Sequence, residues 1–157
     1  MNPLRRKLLG GSASAALLAP LIGSGLLVPG RVLAAEWNRS AFTARSMGDA
    51  LKAYGSATAA ETRDIVINAP EIAENGAKVE IEISSNLANT RSLAVFGDKN
   101  PMPLCATLDF LPPALPYARV QLKLAESTRL RIVAKTTDGK SHVAFRDVKV
   151  TLGGCGG

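Results

Sequence analysis

Apolar positions follow two different periods along the chain. Between residues 37 and 55, Trp37, Phe42, Leu51 and Tyr54 make an intermittent helical face, with Asn38 or Ser40 placed to cap its start and Gly55 to stop it. Beyond Gly55 the period falls to two. Residues 64–68 read as a short strand ended by Ala69-Pro70, and Glu74-Asn75-Gly76 as a turn. Residues 78–84 alternate, with Val79, Ile81 and Ile83 on one face and Lys78, Glu80 and Glu82 on the other. A further strand, 91–96, is closed by Gly97-Asp98. Asn100-Pro101-Met102-Pro103 is expected to be an extended, rigid connection, because its two prolines fix φ and remove donors.

Leu104, Ala106, Leu108 and Phe110 then share one strand face, and Cys105, Thr107 and Asp109 the other. Pro112, Pro113 and Pro116 mark a loop. Val120, Leu122 and Leu124 line a fifth strand; Leu130, Ile132 and Ala134 line a sixth. Asp138-Gly139 predicts a tight hairpin into the seventh. There Val143 and Phe145 have one parity and Val148, Val150 and Leu152 the other, a switch that predicts a bulge or bend near Arg146-Asp147. The expected fold is mainly β: an immunoglobulin-like β-sandwich of about seven strands with a short N-terminal helix and a flexible C-terminal arm.

The first 34 residues have a different character. Arg5-Arg6-Lys7 precede an uncharged stretch, 8–30, and then Arg31-Val32-Leu33-Ala34-Ala35. This is the layout of an export signal, cleaved after Ala34 or Ala35. The paired arginines and the interrupting Gly10, Gly11, Gly23, Gly25 and Pro20 resemble a twin-arginine signal, which carries folded proteins to the periplasm. A retained membrane anchor is the alternative, since the stretch is long enough to span a bilayer, although its Gly and Pro content weakens a spanning helix. The expected organisation is therefore a signal peptide over 1–34, a sandwich domain over 35–152 and an arm over 153–157.

Export changes the reading of charge. The formal +6 includes Arg5, Arg6, Lys7 and Arg31; from Ala35 onward 15 cations face 13 acids. No basic run interleaved with aromatics remains, which argues against nucleic acid as a partner, and no membrane association is expected after cleavage. Hydrophobic residues at 46% and charged residues at 20% fit a globular domain, while aromatics at 4% leave the core to Val, Ile, Leu and Ala.

Candidate chemistry is sparse. His142, the single histidine, sits beside the predicted hairpin with no ligand-spaced neighbours, so neither a metal nor a cofactor is expected. The last residues are different: Gly153-Gly154-Cys155-Gly156-Gly157 places one thiol among four glycines. Such a segment has no side chain except the thiol, and the glycines allow it to enter a narrow tunnel. The thiol then suits a covalent tether served by other enzymes. In an oxidising compartment the competing reading is a plain binding module closed by a Cys105–Cys155 disulfide. An independent thiol oxidoreductase is disfavoured by the lack of a Cys-x-x-Cys pair or an adjacent histidine.

Gly153-Gly154-Cys155-Gly156-Gly157 resembles the terminal signature of the SoxY family, sulfur carriers of periplasmic thiosulfate oxidation. The segments 70–76 (Pro-Glu-Ile-Ala-Glu-Asn-Gly), 100–103 (Asn-Pro-Met-Pro) and 148–151 (Val-Lys-Val-Thr) resemble it at fitting spacings. The resemblance implies a non-enzymatic carrier with Cys155 as attachment site and Gly153, Gly154, Gly156 and Gly157 as its flexible arm. It implies a heterodimer with a SoxZ-like subunit. It also implies a haem-containing oxidase that couples thiosulfate to Cys155 as a cysteine S-thiosulfonate, a hydrolase that releases sulfate, and a sulfane dehydrogenase. Cys105 departs from the family pattern, which needs no second cysteine.

Overall fold

In a computed structural model, residues 37–153 are described; the expected signal, and Gly154, Cys155, Gly156 and Gly157 of the expected arm, lie outside the described residues. The predicted helix is two helices, α1 (Arg39–Thr43) and α2 (Met47–Tyr54). Asn38 caps α1 by accepting from the Ala41 amide, and Ser46 caps α2 by accepting from the Asp49 amide. Trp37 precedes α1 and belongs to neither helix. Gly55, at φ 76°, supplies the left-handed residue that ends α2.

Among the described residues nine strands follow: β1 (Ala60–Glu61), β2 (Ile65–Asn68), β3 (Ile72–Asn75), β4 (Val79–Ser85), β5 (Thr90–Gly97), β6 (Leu104–Asp109), β7 (Tyr117–Leu122), β8 (Thr128–Thr136) and β9 (Ser141–Leu152). One sheet has the order β1-β9-β8-β5-β6, with β3 also paired to β9; the other is β2-β4-β7. The expected alternation in β4 is observed. Val79, Ile81 and Ile83 face Leu93, Val95, Leu130, Ile132 and Val148 across the space between the sheets, all of them buried. That apolar burial, at roughly 1.5–3 kcal/mol per large side chain, is the main force joining the sheets.

The larger sheet is covered on both faces. Ala94, Phe96, Leu104, Val133 and Val143 point away from the sandwich and pack against Ala41, Ala50 and Leu51 of the two helices. This helical layer accounts for the two apolar parities of β9. β9 pairs with β8 in unbroken register from Thr128↔Val148 to Lys135↔Ser141, so the bulge expected near Arg146-Asp147 does not exist. Both parities of β9 have apolar partners instead: Ala144 and Val148 in the sandwich, Val143 under the helices.

A bulge does occur elsewhere, between β5 and β6. Phe96 stands opposite Leu104 but Val95 stands opposite Ala106, which leaves Cys105 as the extra residue. Leu104 therefore faces the helices while Ala106 and Leu108 face the sandwich, so the predicted common face of β6 is broken at its first residue.

Two strands were not legible as such. β1 and β3 are short and pair with β9 in parallel, a long-range pairing that leaves little local alternation. β3 takes in Glu74 and Asn75 of the predicted turn, and the reversal occurs at Gly76 and Ala77 instead. Nor is 100–103 extended: the Gly97 amide donates to the Pro103 carbonyl at 2.9 Å, closing a compact loop that returns the chain from β5 into antiparallel β6.

Candidate functional site

The chain leaves the sandwich at one end of the larger sheet. There the last residues of β9 are held from two sides. The Val150 amide donates to Ser127 Oγ at 2.9 Å, the Thr151 hydroxyl to the Glu74 carbonyl at 2.8 Å, and the Gly76 amide to the Leu152 carbonyl at 2.8 Å. These bonds fix the strand up to its final residue. Leu152 itself points outward, 69% exposed.

Gly153 comes next and packs its backbone against the β7–β8 loop. A Cβ added there would run into the Ala125 carbonyl oxygen well inside van der Waals contact, so no other residue fits without a shift of backbone. The glycine that sequence reading assigned to the arm thus has a steric requirement of its own, set by Ala125. Cys155 follows two residues later, which covalent geometry limits to about 7 Å from Gly153 between Cα atoms.

Ala125 is in turn held by Asn100. The Asn100 side chain accepts from the Ala125 amide at 2.9 Å and donates to the Lys123 carbonyl at 2.9 Å, gripping the loop backbone with both ends of its amide. On the other side of the same loop the Leu124 amide donates to the Gly76 carbonyl at 2.7 Å, and its side chain is fully buried. The segments 70–76 and 100–103 singled out in the sequence, and the residue that follows 148–151, therefore converge on one spot through Gly76, Asn100 and Leu152.

Cys105 is a free thiol in this neighbourhood. Its Sγ lies 3.3 Å from the Asn100 side-chain nitrogen and 3.4 Å from the Pro103 carbonyl, turned towards the sandwich core. Burial pushes its pKa up, partly opposed by the Asn100 hydrogen bond. A thiol with a raised pKa is a poor nucleophile, which makes Cys105 a packing residue.

Of the predicted site residues, only Gly153 is among the described ones; Gly154, Cys155, Gly156 and Gly157 lie outside them. His142 is half-buried in β9 beside Ala60 of β1. Among the described residues no group of three His, Cys, Asp or Glu side chains could hold a metal ion. A groove of about 500 Å³ lies at the opposite end of the sheet, among Leu87, Arg91, Phe110, Leu111, Pro113 and Thr137; Arg91 is its one ionisable side chain. The sequence marks Asn100 and Gly76 only as members of resembling segments, and marks Ala125 and Ser127 not at all. The two prolines flanking Met102 drew attention to that stretch as a spacer, and nothing local marks Ala125.

The chain is similar to known proteins in sequence and in fold. Residues 50–155 match the family model described as sulfur oxidation protein SoxY. The structure of the sulfur carrier protein SoxY from Chlorobium limicola f thiosulfatophilum is 33% identical, with a TM-score of 0.62, over 70% of this chain and 96% of that one. A superoxide reductase (neelaredoxin) from Ignicoccus hospitalis is 20% identical with a TM-score of 0.50, over 68% of this chain and 90% of that one, a likeness of fold alone. No curated protein sequence matches the chain.

Proposed function

The chain belongs to the SoxY family of sulfur oxidation proteins, and we propose that it performs the carrier role of that family by holding sulfur intermediates covalently on Cys155. The carrier role itself follows from the family and from the likeness to a SoxY sulfur carrier. The observation that carries the finer reading is the root of the arm. Leu152 is bonded to Gly76 and Gly153 is packed on Ala125, so a thiol two residues on hangs from a fixed point at the protein surface.

In the proposed cycle the Cys155 thiolate and the terminal sulfur of thiosulfate form a disulfide bond, and two electrons pass to a haem-containing oxidase. The product is a cysteine S-thiosulfonate. Water attacks its sulfonate sulfur, sulfate leaves with release of two protons, and a persulfide stays on Cys155. A sulfane dehydrogenase takes six electrons from that remaining sulfur while three waters supply its oxygens, and hydrolysis of the resulting cysteine S-sulfonate releases a second sulfate and frees the thiol. The chain supplies the attachment point and the partners supply the chemistry; a SoxZ-like subunit completes the carrier, in the periplasm. An unperturbed thiol is mostly protonated at neutral pH, so activation of Cys155 falls to the enzyme that receives it.

Peptide mass spectrometry of non-reduced protein incubated with thiosulfate and the oxidising enzymes tests this. A reductant-labile adduct on the C-terminal peptide is expected, together with its loss in Cys155→Ser while partner binding persists. Thiosulfate oxidation at the normal rate by Cys155→Ser, or a C-terminal peptide joined to Cys105 under every condition, would overturn it.

A further inference from the structure

Asn100 lies outside the carrier arm, yet its side chain grips the loop on which the arm's root rests. We propose that Asn100 is a positioning residue: it fixes the Ala125 carbonyl and thereby the direction in which Gly153 sends the chain towards Cys155. This rests on the reading of Cys155 as the carrier site.

The geometry is a relay of three links. Asn100 is itself held, because its own amide donates to the Gly97 carbonyl at 3.1 Å and the Gly97-to-Pro103 bond closes the loop around it. A Cβ on Gly97 would stand 3.4 Å from the Asn100 side chain, so the two positions are in direct contact. The second link is the double grip on Lys123 and Ala125, which needs a donor and an acceptor on one short side chain. Aspartate lacks the donor and alanine lacks both. The third link is steric, the backbone of Gly153 lying on the Ala125 carbonyl.

A short tether makes such a relay matter. Cys155 has only about 7 Å of backbone beyond Gly153 with which to reach an active site. An error in the starting direction cannot be recovered along so short a path, and misplacing a reacting atom by an ångström is costly to rate. A small reagent that diffuses to the thiol from any side has no such requirement. Enzymatic loading and free chemical reactivity of the same thiol therefore separate positioning from simple support of the fold.

The experiment uses the full protein with Asn100→Ala, Gly153→Ala and both together. Three quantities are read: kcat/KM for thiosulfate loading of Cys155 by the coupling oxidase with the carrier as varied substrate, iodoacetamide alkylation of the C-terminal peptide, and the thermal midpoint. Asn100→Ala should lower kcat/KM about tenfold and leave alkylation within about twofold of wild type. Gly153→Ala should do the same, and the double variant should fall no further than the worse single, because both break one relay. Loading at the wild-type rate in Asn100→Ala, losses that multiply in the double variant, or alkylation that falls in step with loading would overturn the proposal. Should Asn100→Ala not fold, Asn100→Asp replaces it under the same criteria. A wild-type C-terminal peptide that takes up no adduct overturns the carrier reading and this one with it; normal loading in wild type and variant alike overturns only the positioning role.

Discussion

The side-chain nitrogen of Asn100 lies 3.3 Å from the Sγ of Cys105, so the extra residue of the β5–β6 bulge is turned inward and capped by the residue that grips the arm-side loop. Burial raises the Cys105 pKa, and a raised value stabilises the fold only while the unfolded chain keeps its thiol protonated too. That contribution is fully present below the ordinary thiol value of about 8.5. It is lost as pH rises through the raised folded value. Wild type should therefore lose thermal stability above about pH 8.5 more steeply than Cys105→Ala. At pH 8, alkylation of Cys105 should be at least about tenfold slower in native protein than in denaturant, as read by mass spectrometry.

Phe96 should be among the most costly core residues to truncate. It is fully buried between the larger sheet and the helices, and the Tyr54 ring meets it edge-on at 5.9 Å between centroids and 73°. Phe96→Ala should cost about 3–5 kcal/mol in chemical denaturation, against about 0.5–1.5 kcal/mol for Ile132→Val inside the sandwich. Amides of α2 should then exchange faster than those of β8, because the cavity opens on the helix side.

Asp138 should govern part of the acid response. The Thr136 hydroxyl and then Lys140, at 2.9 Å, hold its carboxyl well below the usual carboxylate range. A depressed folded pKa contributes stability that is present above the unfolded value of about 4 and lost as pH falls below it. Between pH 5 and pH 3, wild type should lose more of its thermal midpoint than Asp138→Asn. The carboxyl is exposed, so the difference should be small and should shrink in high salt.

Ser127 should control fraying at the arm root. Its hydroxyl is the partner of both the Val150 amide and the Val150 carbonyl, at 2.9 and 3.3 Å. Ser127→Ala leaves that amide without an acceptor, worth about 1 kcal/mol. Exchange of the Val150 amide should quicken about fivefold, with the amides of β5 unchanged, in a site-resolved hydrogen-exchange measurement.

Local patterns read well wherever one physical rule dominated. Asn38 and Gly55 carry the capping chemistry that bounds the helical region, and both act as predicted. The Asp138-Gly139 reversal forms as expected, with Gly139 at φ 83°. The alternation of Val79, Ile81 and Ile83 gave the buried face of β4 directly, because β4 has one face in the core and one towards solvent. β9 misled for the opposite reason. At Val143 its second face meets helices distant in sequence while Phe145, Arg146 and Asp147 stay exposed, so β9 has no single parity to read.

For this protein the residues alone determine most of the stretches that become strands, the caps of the helical region and the Asp138-Gly139 reversal, and that one cysteine stands among glycines on a segment with nothing else to offer a partner. These are local properties: period, turn chemistry and the absence of side chains. Only the tertiary structure decides that Asn100, Gly76, Ala125 and Gly153 meet, that Leu104 and Ala106 face opposite layers, and that the second cysteine is turned inward against Asn100. Each of those depends on backbone groups brought together across 25 residues or more, or on a bulge set by a neighbouring strand. A backbone carbonyl such as that of Ala125 leaves no mark on residue identity, so folding alone places it against Gly153.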